Sequence, residues 1–125
     1  MTATTEAGSR RSALQNAWSA ERAEARDAHE RGDFAGEWAH LERAHILSQP
    51  MAGRHVCTHV AMLHHGLHRH DRREVIGQLF RMLVAGPGSI TGRYPVGNTG
   101  GARVSAMAVM PIPDDLRIVL EPNPR

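Results

Sequence analysis

Three punctuation points divide most of this chain into four helix-forming runs, and their brevity dictates how the runs must lie. Gly32-Asp33, Pro50 and Asp71 stand between segments rich in alanine, leucine, glutamate and arginine. A glycine stops a helix, an aspartate caps the next one, and a proline has no amide hydrogen to continue a ladder. Connections this short force each helix to turn back along its predecessor. The expected fold class is therefore all-α: an antiparallel four-helix bundle built from two helical hairpins.

Helix 1 is expected from Arg10 to Arg31, with Leu14, Trp18, Ala25 and Ala28 on one face. Helix 2 follows Asp33 and runs to Ser48, carrying Phe34, Trp38, Leu41 and His45 on one stripe. Helix 3 spans Met51 to Arg69, and its apolar residues Val56, Val60, Leu63 and Leu67 are expected to form the buried face. Asp71 and Glu74 open helix 4 as a capping box ahead of Val75, Ile76, Leu79, Phe80 and Leu83. Residues 1–9 read as a disordered tail and residues 10–85 as the four-helix domain. Gly86-Pro87-Gly88 then begins an irregular, Gly/Pro-rich extension over residues 86–125, expected to wrap the bundle and to include a short helix near Asp114. A shift of 38 residues superposes Asp33 on Asp71, Leu41 on Leu79 and Arg43 on Arg81. This repeat resembles tetratricopeptide-like hairpins, though its period is long.

Charge excludes one class of partner. All 15 basic residues are arginine, but 13 acidic residues are interleaved with them, so no cationic stripe marks a nucleic-acid surface. No apolar run is long enough to span a bilayer. A single cysteine, Cys57, and the lack of an apolar leader point to the cytoplasm.

The unusual residue is histidine. There are nine, all but His29 lying from His40 to His70. His55 and His59 project from one side of helix 3, being four residues apart, while His45 sits within the apolar stripe of helix 2. Glu21 is the acid within the apolar stripe of helix 1. At about 1.5 Å rise per residue, counted from the turns, these four side chains lie within about 6 Å of one depth. Three imidazoles and a carboxylate at one level of a helical core are ligands for a transition metal. Zinc is the first expectation, with iron, manganese, copper or nickel as alternatives, and Glu21 as fourth ligand or outer base.

Other readings of the same residues are weaker. Val56 after His55 removes the H-E-x-x-H of zinc proteases. The two E-x-x-H pairs, Glu37/His40 and Glu42/His45, share one helix where a di-iron centre wants them on two. His64 and His68 form an accessory pair toward the end of helix 3. Arg93 with Gly97, Asn98, Thr99 and Gly100 offers an anion nest, without the Lys-Ser/Thr of a P-loop.

Several of these segments together resemble a family of short bacterial proteins known only as a domain of unknown function. They are Ala44, His45, Leu47, Ser48 and Gln49; the His55/His59 pair; E-V-x-G-Q from Glu74 to Gln78; and G-R-x-P-x-G-N-T-G-G from Gly92 to Gly101. The resemblance runs from about Leu14 to Leu120 and implies an architecture but no activity. The functional expectation is thus a metal-binding helical protein, serving metal homeostasis or acting as a small metal-dependent enzyme. The alternative is a non-catalytic helical adaptor that binds a peptide, a protein partner or a second copy of itself.

Overall fold

A computed structural model describes residues 2–121. It is all-α: α1 (Thr2–Glu30), α2 (Phe34–Ser48), α3 (Ala52–His68), α4 (Arg72–Thr91) and α5 (Asp114–Leu120). None of the described helices is long and apolar enough to cross a membrane. Two of the expected starts are secured by side-chain caps. Asp33 accepts a hydrogen bond from the Gly36 amide at 2.9 Å, and Asp71 accepts one from the Glu74 amide at 3.1 Å. Each satisfies a donor that has no partner inside its helix. Asp33→Ala is expected to cost about 1 kcal/mol of stability, measured by urea unfolding.

The helices pack in chain order. α1 lies against α2, α2 against α3 and α3 against α4, while α5 returns to α1 and α2. One apolar cluster joins Ala25, Leu41 and Met62, with Trp38 and Ala61 against it. A second joins Ile46, Leu47 and Leu116, with Leu14 and Trp18 among its neighbours. This series leaves α2 between α1 and α3, an arrangement that decides which side chains can meet.

Two helix boundaries differ from expectation. α1 extends back to Thr2, where Glu6 and Arg10 pair across one turn at 3.6 Å, so residues expected as tail are helical. α4 runs through Pro87 and ends only at Gly92, whose φ of 72° makes the left-handed stop. Proline forfeits a single backbone bond. The last turns of α4 are held instead by tertiary contact, since the Ser89 hydroxyl donates to the Gln49 carbonyl at 2.5 Å.

The faces of α3 and α4 differ more deeply. Val60 and Leu67, expected in the core, are 46% and 54% exposed, and Phe80 and Leu83 on α4 are 61% and 76% exposed. The buried residues are instead His55, Thr58, His59, Met62 and Gly66 on α3, and Glu74, Gln78, Arg81 and Ala85 on α4. Polar side chains tolerate such burial when they satisfy one another. Most of their polar groups do so here, through a network that includes the segment 92–113 laid across them. Asn98, 1% exposed, anchors that segment. Its side-chain amide donates to the Ser105 and Ala108 carbonyls, both at 2.8 Å, and its side-chain oxygen accepts from the Gly100 amide at 2.9 Å.

Candidate metal centre

His45 projects from α2, and His55 and His59 project from one side of α3, four residues apart. All three are buried, at 3%, 5% and 2% exposure. Their Nε2 atoms form a triangle with sides of 3.0 Å (His45–His55), 3.1 Å (His45–His59) and 3.3 Å (His55–His59). Nitrogens bound tetrahedrally to one zinc ion at about 2.0–2.1 Å would stand about 3.3 Å apart. The triangle is therefore of a size that one ion can cap.

The protonation of each ring follows from its other nitrogen. His45 Nδ1 lies 2.6 Å from the Asn98 carbonyl oxygen, which can only accept, so Nδ1 carries the proton. His59 Nδ1 lies 2.5 Å from Gln78 Oε1. The Gln78 amide cannot be reversed, because its nitrogen donates to Glu74 Oε1 at 2.5 Å and to the Gly100 carbonyl at 2.8 Å. His59 Nδ1 therefore donates too. His55 Nδ1 lies 2.7 Å from Ser89 Oγ, whose own proton is spent on the Gln49 carbonyl, so Ser89 accepts and His55 donates.

All three Nε2 atoms are then bare lone pairs turned on one another. No hydrogen bond can form among them, and their mutual repulsion is offset only by something brought from outside: a cation, a proton or a water O–H. A proton is disfavoured. Burial first, then the neighbouring His59 and His55, drive His45 well below the ordinary imidazole range. His55 falls to about 4 through burial and the nearby His59, and His59 to about 4 through burial and the charge of Arg81, against the raising effect of Gln78. Neutral imidazoles held by outer acceptors are the form in which histidine binds metals.

The low pKa values have a measurable consequence for the metal-free protein. In the unfolded chain these imidazoles take up protons near pH 6.5, whereas folded His55 and His59 resist protonation until about pH 4. Their contribution to stability is complete above pH 6.5 and is lost as pH falls toward 4. Thermal unfolding of metal-stripped protein should therefore show Tm dropping across that window. A flat profile from pH 7 to pH 4 would contradict the burial of neutral rings.

The triad is not sealed. A cavity of about 420 Å³ opens on all three rings and is walled by apolar side chains, among them Phe80, Val84, Ala85 and Met107. Three histidines with one side open are the donor set of a metal that still has a position for a reacting ligand. When such an ion is bound it acts as a Lewis acid on whatever occupies that position.

Glu21 does not join the triad. Its carboxylate accepts from His40 Nδ1 at 2.7 Å and from Arg43 Nε at 2.8 Å. Depth was the wrong coordinate for this residue. α2 stands between α1 and α3, so Glu21 meets the α1-facing side of α2 while His45 points to the other side. The pair His64 and His68 is also separate, both rings being exposed beside His29 and Phe34 at the far end of α3. Among the described residues, the group able to hold an ion is His45, His55 and His59.

The expected anion nest is consumed internally. The Gly97 amide donates to Gln49 Oε1 at 3.1 Å, the Asn98 amide to the Pro95 carbonyl at 3.1 Å, and the Gly100 amide to Asn98 Oδ1. Thr99 is half-buried beside a different cavity, and Arg93 lines the triad's cavity. The glycine-rich stretch serves the histidines. Gly100, with φ of 87°, lies flat against His45, and a Cβ there would fall 2.5 Å from the ring's Cδ2.

Sequence reasoning missed the outer shell. Gln78 and Asn98 stand inside the segments E-V-x-G-Q and G-N-T-G-G, whose recurrence was the only available signal. Ser89 had no signal, since Pro87 argued against a helix there.

No curated protein and no solved structure matches this chain. A family model does, over residues 12–120, which include every residue of the triad and its outer shell. The chain belongs to the family described as "Protein of unknown function (DUF3703)".

Proposed function

We propose that this protein binds one transition-metal ion through the Nε2 atoms of His45, His55 and His59, and that the open side of the ion is its working face. The observation that carries this reading is the tautomer assignment. Three outer acceptors fix Nδ1–H on every ring, leaving three converging lone pairs that form a ready donor set for one cation. Neutral imidazoles suit zinc, copper, iron and nickel, and three histidines with an open fourth position are a catalytic-zinc arrangement, so zinc heads the list. The cavity beyond the ion favours a small metal-dependent enzyme over a storage protein, because a structural or storage site closes its coordination shell with protein ligands. An adaptor has no use for three buried bare nitrogens.

Untagged protein analysed for metal after purification is expected to carry about one equivalent per chain. Dialysis against a chelator should remove it and lower Tm, and titration with zinc should restore both. A ligand present at 1,000 times its Kd stabilises the folded state by about 4 kcal/mol, a shift that thermal unfolding resolves readily. Metal-free protein whose Tm ignores zinc, copper, nickel, iron and manganese would overturn the proposal.

A further inference from the structure

The charges around the cavity ask for a ligand of one sign. Arg81 is buried at 7% exposure and lines the same cavity as the three histidines. Its guanidinium has five N–H donors. One nitrogen, Nη2, donates to the Val104 carbonyl, and among the described residues no carboxylate forms an ion pair with any of them. Glu74 attracts it from farther off while its own oxygens accept from Gln78 and the Ala102 amide. The one other charged side chain on the cavity wall is Arg93, and neither aspartate nor glutamate lines it. The other donors of Arg81 have no protein partner among the described residues and are open to the cavity, so the charge carries a desolvation cost that cavity water only partly relieves. Its cost rises further if a divalent cation is placed on the triad beside it.

We infer that the cavity binds a small organic carboxylate, its anionic head between Arg81 and the open face of the triad and its apolar part against Phe80, Val84, Ala85 and Met107. This rests on the metal reading for one of the two head-group contacts. A planar guanidinium matches a carboxylate in a two-point pairing that leaves the apolar walls for the rest of the molecule. Those walls argue against a hydrated inorganic anion, which would gain nothing from them. The volume, about 420 Å³, is that of a small-molecule site.

The test is calorimetric titration of full-length protein, metal-loaded and metal-stripped, with acetate, butyrate, hexanoate, hexanamide and phosphate. Hexanoate should bind at least tenfold more tightly than acetate or hexanamide, with affinity rising about fourfold per fully buried methylene. Arg81→Met should weaken hexanoate at least tenfold while leaving the metal content at one equivalent, and Arg81→Lys should recover part of the loss. Should Arg81→Met fail to fold, chemical-shift changes at the Arg81 side chain on adding hexanoate to the wild-type protein decide the same point. Equal binding of hexanoate and hexanamide, unchanged hexanoate affinity in Arg81→Met, or phosphate binding tighter than every carboxylate would each overturn the inference. The two readings fail separately. A protein that takes up no metal yet binds hexanoate through Arg81 keeps the carboxylate site and loses the metal. One that holds metal and ignores every carboxylate does the reverse.

Discussion

His59→Ala is expected to reduce bound metal from about one equivalent per chain to less than a tenth under the same purification. His59 supplies one corner of the nitrogen triangle, 3.1 Å and 3.3 Å from the other two. Structural zinc sites with four protein ligands are worth about 10–16 kcal/mol in all, so one ligand carries roughly 3 kcal/mol, or about two orders of magnitude in Kd. The remaining pair, His45 and His55, has no carboxylate or thiolate within reach to replace the missing donor. Glu21 is engaged with His40 and Arg43 on the other side of α2. The effect should be specific to the triad. A His64→Ala/His68→Ala variant, changed at two exposed rings beside His29, should retain full occupancy. Metal analysis of the purified variants reads both. Equal occupancy in His59→Ala and wild type would remove His59 from the site.

Gly100→Val should be nearly as damaging although Gly100 itself supplies no ligand. Its Cβ would come within 2.5–2.9 Å of three atoms of the His45 ring, closer than real carbon contacts allow. The φ of 87° adds backbone strain for a β-branched residue. Either His45 turns away or the segment 92–113 lifts, and each breaks the bond from His45 Nδ1 to the Asn98 carbonyl. A stability loss of roughly 3 kcal/mol is expected, the sum of overpacking and strain, together with loss of metal. Gly100→Ala meets the same ring with a smaller side chain and should fall between. Urea unfolding followed beside metal content separates the two consequences. Unchanged stability in Gly100→Val would show that the strap does not press on His45.

The order of the helices and the starts of α2 and α4 were legible, because glycine, proline and aspartate act locally and Asp33 and Asp71 cap where their position says they should. The buried faces of α3 and α4 were not. Reading periodicity assumes that apolar means inside, and it placed Val60 and Leu67 in a core they do not enter. What lies inside is His55, His59, Gln78 and Glu74, acceptable there only because each finds a partner on another element, and such partners are invisible along one helix. His45, His55 and His59 were found because depth and side agreed for all three. Glu21 shared their depth, but which side of α2 it would meet depended on the order of packing, a property of the whole chain.

The bond from His45 to Asn98 joins positions 53 residues apart, and the triad's other outer partners, Gln78 and Ser89, also come after all three histidines. During synthesis the imidazoles therefore leave the ribosome well before anything fixes their tautomers. A nascent chain halted near residue 90 holds the histidines without the carbonyl that orients His45 and without the strap that excludes water from it. On the metal-binding reading, high-affinity capture of an ion would be a late event, and occupancy a report that the last third of the chain has arrived and docked.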